Sequence, residues 1–428
     1  MGFPLRFFAR LRVLPAAVFL FLSLAAGAVP PPELGIPLAR IFTPREYQAD
    51  PLCQAVVQGT DGIIVIANNT VAIAYDGAGW QTIALPAEST GIVQLVVGAD
   101  GLVYAGGGNV LGYFDGPAGR KSYRSLRDLL PAAEREGSRE YRVAAGRDGL
   151  YFTDGGDTLC VWRGGVIAAV RGSCPANAEL FAVQGDIYLK GDDASLYRVD
   201  GDALVAVATD PLLRDAEPVL IESAGRGGLR VWTRNQMLLR LSADHRLTQA
   251  PLLDRAWADR RVYHALRLHD GSYAVAFTPG TGGGGVLLAP DGSVTGRLDE
   301  SIGLPNHNVR SLASDREGGL WVGLEYGIAR LDWPSGVTLF DAANGLDGFV
   351  TDVARHHGTL YAATLSGVHQ LVPRTSPAAA PRFARVLKEA VYGLWPDEAG
   401  LLFRTHAELG RLTAVGPENL FPLPRAIG

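Results

Sequence analysis

The strongest constraint on this chain is that it repeats. A glycine-bearing polar turn followed by a short apolar run returns nine times: Asp61-Gly62-Ile63-Ile64-Val65, Asp100-Gly101-Leu102-Val103-Tyr104, Asp148-Gly149-Leu150-Tyr151-Phe152, Gly185-Asp186-Ile187-Tyr188-Leu189, Gly228-Leu229-Arg230-Val231-Trp232, Asp270-Gly271-Ser272-Tyr273-Ala274, Gly318-Gly319-Leu320-Trp321-Val322, Gly358-Thr359-Leu360-Tyr361-Ala362 and Gly400-Leu401-Leu402-Phe403. The marker glycines stand 36 to 48 residues apart. Self-similarity at that period means one supersecondary unit used many times, each burying its apolar face against its neighbours.

The clearest unit begins at Val309. It reads Val309-Arg310-Ser311-Leu312, an Asp315-Arg316-Glu317-Gly318 turn, Gly319 to Gly323, Gly327 to Asp332, and a last short run Val337-Thr338-Leu339-Phe340. Four short strands bounded by turn residues make one propeller blade. Helix-pair repeats share the length but need a 3.6-residue apolar period, and only Leu126 to Glu136 reads as helical. The expected fold is therefore all-β, a propeller of seven or eight four-stranded blades, with an elongated β-solenoid as the alternative. Radial closure is favoured because it leaves few strand edges exposed. Nine copies exceed the four to eight blades of one ring. Either the end copies merge into a composite blade, or the last two open a second ring that a truncated chain does not finish. The expected segments are 29–52 as a lead-in, 53–349 as the propeller and 350–428 as two further repeats.

Composition agrees with short strands and tight turns: among 428 residues there are 53 Gly and 26 Pro but only 3 Cys and 2 Met. A formal net charge of -5 and the lack of a basic stripe argue against a nucleic-acid partner. Residues 1–28 read as an export signal, with Arg6, Arg10 and Arg12 ahead of the apolar stretch Val13 to Leu24 and a small-residue cleavage site at Ala26-Gly27-Ala28. An uncleaved anchor is the alternative, although the stretch is shorter than the ~20 residues a spanning helix needs. No later segment could cross a bilayer, so the expected location is the periplasm or the exterior. In such a compartment Cys160 and Cys174 could form a disulfide, or stay buried as free thiols, with Cys53 unpaired.

The stretch Gly303-Leu304-Pro305-Asn306-His307-Asn308-Val309-Arg310, continued by Asp315, Gly318, Leu320-Trp321-Val322-Gly323, Gly327-Ile328 and Asp332, resembles the two-component regulator propeller repeat. The likeness runs through Phe340 to Asn344-Gly345-Leu346 and, more loosely, over Val350 to Leu371; the other copies keep the turns but lose the Trp and the Gly-Leu-Pro lead-in. The resemblance implies a periplasmic sensor region, in that family usually two tandem propellers, an immunoglobulin-like module, one transmembrane helix and a cytoplasmic output such as a histidine kinase or diguanylate cyclase. It also implies an oligosaccharide ligand and dimerisation through a parent sensor protein. No output signature is present in these residues, so no kinase activity is assigned to them.

Residue chemistry points the same way. There is no Gly-x-Ser-x-Gly elbow, His-Glu-x-x-His, paired-cysteine zinc site or phosphate loop, and no cofactor is expected. Gly282 to Gly285 reads as a hairpin loop, His356-His357 as a solvated turn, and Asp61, Asp100 and Asp148 as turn formers. Aligned first strands place Gln94, Arg142, His264, Arg310, Thr351 and Tyr392 in nearly one column. If that strand is innermost in its blade, the column lines a central channel and supplies the directional polar and aromatic contacts that a sugar needs. A wet channel without a ligand is the plainer reading. Trp321, Trp232 and Tyr361, on second strands, are expected to pack between blades. The function these features support is ligand sensing, with a secreted lyase- or lactonase-type propeller enzyme or a protein-interaction scaffold as alternatives.

Overall fold

A computed structural model describes residues 33–69, 71–253, 257–376 and 379–423; the expected export signal at 1–28 lies outside them. Among the described residues there are nine four-stranded antiparallel sheets and one two-stranded ribbon. Helix is confined to short pieces, and the Leu126 to Glu136 stretch forms a 3-10 turn at Arg127–Leu129 and one helical turn at Ala132–Arg135.

Seven sheets close into a ring. Their inner strands are Cys53–Gln58, Gly91–Val97, Arg142–Ala145, Glu179–Val183, Pro218–Gly225, Val262–Arg267 and Val309–Ser314, in blades 1 to 7. Each neighbours the next, and the seventh returns to the first. Seven apolar clusters fill the seven seams, one between each pair of adjacent blades. Strand alternation explains why Gly319–Leu324 carries no polar side chain. Leu320, Val322 and Leu324 face the blade 6 seam, whereas Trp321 faces the blade 1 seam. Both faces of the strand are thus buried, at about 1.5–3 kcal/mol for each large side chain. Six of the nine marker glycines, Gly62, Gly101, Gly185, Gly271, Gly318 and Gly358, have φ between 77° and 86°. A side chain is disfavoured there, which is why the repeat shows itself through its glycines.

The seventh blade is completed from the other end of the chain. Ala39–Phe42 pairs antiparallel with Ile328–Asp332, so that Phe42 opposes Ile328 and Ala39 opposes Leu331. This corrects the expectation that Val337 to Phe340 supplies the fourth strand. Thr338–Leu339 instead forms a ribbon with Ile36–Pro37. The lead-in is therefore the clasp of the ring. Phe42 is 1 % exposed; it stacks on Trp321 at 5.6 Å and meets Tyr75 and Trp80 at 5.2 Å each, bridging blades 7 and 1. The Glu46 carboxylate accepts a hydrogen bond from the Thr43 N–H at 2.6 Å and fixes the turn that follows.

The last two copies stand outside the ring. Blade 8 (Val350–His356, Thr359–Thr364, Gly367–Val372, Arg382–Leu387) and blade 9 (Gly393–Asp397, Gly400–Arg404, Glu408–Leu412, Pro417–Pro422) share their own seam of Ala363, Val368, Val391, Leu394, Leu401 and Phe403. Blade 8 touches the clasp through an ion pair between Arg355 and Glu33.

Candidate ligand site in the propeller channel

Five of the seven inner strands are bulged near their N-terminal ends. Pairing with the second strand skips one residue between Cys53 and Ala55, Ile92 and Gln94, Pro218 and Leu220, Val262 and His264, and Val309 and Ser311. The extra residues are Gln54, Val93, Val219, Tyr263 and Arg310. A bulge sets two successive residues against one and re-aims a side chain, and here the extra residue and the one after it both line the channel in four cases, Gln54 and Ala55, Val93 and Gln94, Tyr263 and His264, and Arg310 and Ser311, while in the fifth Val219 lines it beside Pro218. The cavity they enclose has a volume of about 650 Å³.

Four of the six column residues meet in this cavity: Gln94, Arg142, His264 and Arg310. Thr351 and Tyr392 do not, because they belong to blades 8 and 9, outside the ring. There they meet each other's surroundings: the Thr351 hydroxyl donates to the Val391 carbonyl at 2.6 Å, next to Tyr392. Within the ring the single column also resolves into two positions. Arg310 is a bulge residue, whereas Gln94 and His264 are the residues that follow the bulge.

The two positions do different work. Gln94 Oε1 accepts from the Val143 N–H of the next blade at 2.9 Å, and His264 Nδ1 accepts from the Leu312 N–H of the next blade at 3.0 Å. These side chains tie adjacent inner strands together. The His264 bond fixes the neutral tautomer with its proton on Nε2, and desolvation pushes the imidazole down to about 4. The arginines are held by carboxylates. Arg142 pairs with Glu179 at 3.1 Å and Glu140 at 2.5 Å, and Arg310 with Glu325 at 3.5 Å, which also accepts from Asn308 at 2.6 Å. Arg234 binds Glu217 at 2.8 Å. Burial raises the Glu179 carboxyl above its ordinary value against the opposing pull of Arg142. The Arg310 Nε is buried without a hydrogen-bond partner. Tyr263 adds an aromatic side chain to the same lining.

Sequence reasoning missed Glu179, Arg234, Tyr263 and Gln54. Glu179 escaped because the first hairpin of blade 4 turns tightly at Gln184-Gly185 and shifts the column. Arg234 lies beyond the second strand, Gly228–Thr233, where no first-strand alignment reaches. Other expectations fall into place locally. Cys160 and Cys174 stand as free thiols, as does Cys53. In the Gly282 to Gly285 run the amides of Gly282, Gly283 and Gly284 are spent on the carbonyls of Pro279, Thr278 and His307, so no cradle of free N–H groups is left for a phosphate. His356 Nε2 lies 3.0 Å from the Asp397 carbonyl, and no cluster able to hold a metal ion occurs among the described residues. Some turn acids do more than form turns. Asp315, 2 % exposed, accepts from the Gly319 N–H at 2.6 Å, Trp321 Nε1 at 2.9 Å and Arg330 Nε at 2.6 Å. Burial alone would raise its carboxyl; these three donors hold it below the usual range.

The unit that displays this geometry most fully, with its bulge at Arg310 and its buried Trp321, overlaps a known sequence family. Residues 303–326 match the family described as two component regulator propeller. The chain carries a two component regulator propeller repeat. No curated protein matches the sequence. Among solved structures, the chain is similar to the extracellular domain of a hybrid two component system of B. thetaiotaomicron, with a TM-score of 0.60 and 13% identity over 91% of this chain and 55% of that one. It is also similar to the extracellular domain of a one component system of the same organism, with a TM-score of 0.50 and 14% identity over 89% of this chain and 52% of that one. The chain thus spans about half the length of these relatives. A histidine-to-alanine, catalytically inactive virginiamycin B lyase of Staphylococcus aureus with quinupristin is similar as well, with a TM-score of 0.53 and 13% identity over 71% of this chain and 99% of that one. At these identities the likeness establishes the propeller fold.

Proposed function

We propose that the chain is the exported, ligand-binding sensor region of a two-component signalling protein, and that its ring channel takes a saccharide. The observation that carries this reading is the convergence of Arg142, Arg234, Arg310, Glu179, Gln54 and Tyr263, drawn from six blades, on one cavity of about 650 Å³. Forked donors, acceptors and an aromatic ring are the groups that grip hydroxyl-rich rings. Support comes from the propeller repeat at 303–326 and from the resemblance of the fold to extracellular domains of signalling systems. No helix among the described residues is long and apolar enough to cross a membrane. A ligand would signal by binding one shape of the domain better than another.

The lyase likeness raises a second reading, since a histidine does line the channel. His264 is a poor base for it: its Nδ1 is committed to the Leu312 N–H, and desolvation already disfavours the protonated state. The deciding experiment is a thermal-shift screen of oligosaccharides, with Arg142→Ala and Arg310→Ala compared against Arg163→Ala, which lies outside the channel. A ligand at 100 times its Kd adds about 2.7 kcal/mol of stability. The two channel variants should lose the shift and Arg163→Ala should keep it. A shift that survives in both channel variants would remove the channel from consideration.

A further inference from the structure

The ring channel changes character along its axis. Each inner strand opens its blade in the same antiparallel order, so a residue's place in its strand gives its depth in the channel. The charged side chains gather at one end. Arg142, Glu179 and Arg310 stand at or next to the starts of Arg142–Ala145, Glu179–Val183 and Val309–Ser314. Arg234 joins them because it follows Thr233, which pairs with Pro218 at the start of the blade 5 inner strand.

Beyond Gln94, His264 and Ser311 the character reverses, and among the described residues no polar side chain lines the cavity at greater depth. The deeper lining comprises Leu95, Val96 and Val97 of blade 2, Ala145 of blade 3, and Phe181 and Ala182 of blade 4. Ala182 is exposed, and the other five each keep part of their surface open. Fully buried neighbours such as Ala144 and Leu312 only back this wall. The inner strands of blades 2, 3 and 4 touch in succession, so the six residues make one continuous strip rather than scattered patches. The small side chains of Ala145 and Ala182 leave room in front of it. From Leu95 to Val97 the strip runs about 7 Å, enough for an aromatic ring or a short alkyl chain.

A sugar hydroxylated on every side suits the mouth and not the strip, where its hydroxyls would lose water without gaining partners. An apolar group gains there, since its own surface and the wall both leave water. We propose that the channel's ligand is amphiphilic: a glycoside whose sugar is held by the arginines and Glu179 at the mouth, and whose apolar aglycone lies along the strip of blades 2 to 4. This inference rests on the saccharide reading of the same channel and specifies what the sugar carries.

Titration calorimetry with matched methyl and phenyl β-D-glycosides of glucose, galactose, mannose and xylose tests it, because the members of a pair share a sugar and differ in the aglycone. For whichever sugar binds, the phenyl glycoside should bind about tenfold tighter or better, with the butyl glycoside in between. Arg310→Ala should weaken both members of the pair, whereas Ala182→Asp should bring the phenyl glycoside down to the affinity of the methyl one. Arg163→Ala, outside the channel, should change neither. Should Ala182→Asp fail to fold, the methyl, butyl and phenyl series on the parent protein decides the matter. Equal affinity across that series would overturn the inference and leave the saccharide reading standing. Phenol binding as tightly as the phenyl glycoside, or no binding by any glycoside of the panel, would overturn the two together.

Discussion

Replacing His264 with Gln should leave the fold intact and remove a defined part of its acid sensitivity. The imidazole sits at about 4 against an ordinary 6.5 because burial disfavours its charged form. Above pH 6.5 the group is neutral in both folded and unfolded chains and contributes nothing. As pH falls from 6.5 toward 4, the unfolded chain takes up a proton that the folded chain refuses, so stability drops. Between pH 7 and pH 5 the loss works out at about 2 kcal/mol, a ceiling because one side of the ring borders the cavity. Gln is the right substitute, since Gln94 makes the equivalent bond in blade 2, accepting from the Val143 N–H. Guanidinium unfolding of both proteins at pH 7 and pH 5, at one ionic strength, gives the difference directly; carboxylates such as Asp315 are common to both and cancel. His264→Gln should lose at least 1 kcal/mol less than the parent on this acid step. An identical loss in the two proteins would show that His264 does not resist protonation and that the desolvation argument is wrong.

Two further outcomes follow from the ring. Asp315→Ala strands Arg330 and the Trp321 N–H in a buried site, so thermal unfolding should report a loss of about 3–5 kcal/mol, and Asp315→Asn should recover part of it. Phe42→Ala empties the contact between clasp and blade 1, and should cost about 3–5 kcal/mol; limited proteolysis should then cut first near residues 33–43, whereas cleavage elsewhere with the clasp protected would argue that it does not close the ring.

The fold was legible because propeller geometry writes itself into turns. Positive φ at positions such as Gly62 and Gly318 restricts the residue choice, and strands buried on both faces, such as Gly319–Leu324, read as apolar runs. The clasp was not legible. Ala39–Phe42 has no glycine turn of its own and pairs with a strand nearly 300 residues away in sequence, so no local pattern marks it. The Val337 to Phe340 run filled the fourth-strand slot by proximity alone. The candidate site was half legible: the alignment found the inner strand of blades 2, 3, 6 and 7, but it placed no residue from blades 1, 4 and 5, could not see that a bulge makes two neighbouring residues face one cavity, and could not see that Thr351 and Tyr392 lie outside the ring.

That distinction bears on which channel residues remain free to meet a ligand. Gln94 and His264 follow the bulge and spend their acceptors on the N–H of the next blade, so their loss would loosen the ring before it altered recognition. Arg310 and Tyr263 occupy the bulge itself, the position the ladder leaves unpaired, and Arg310 keeps a buried Nε with no partner. Arg142 and Arg234 are held only by carboxylates, which a bound hydroxyl can share without breaking a backbone tie. In blades 2 and 6 the extra residue of the inner strand thus separates the job of holding two blades together from the job of facing the cavity. Recognition could then vary at the bulge from one propeller to another while closure is maintained one residue further on.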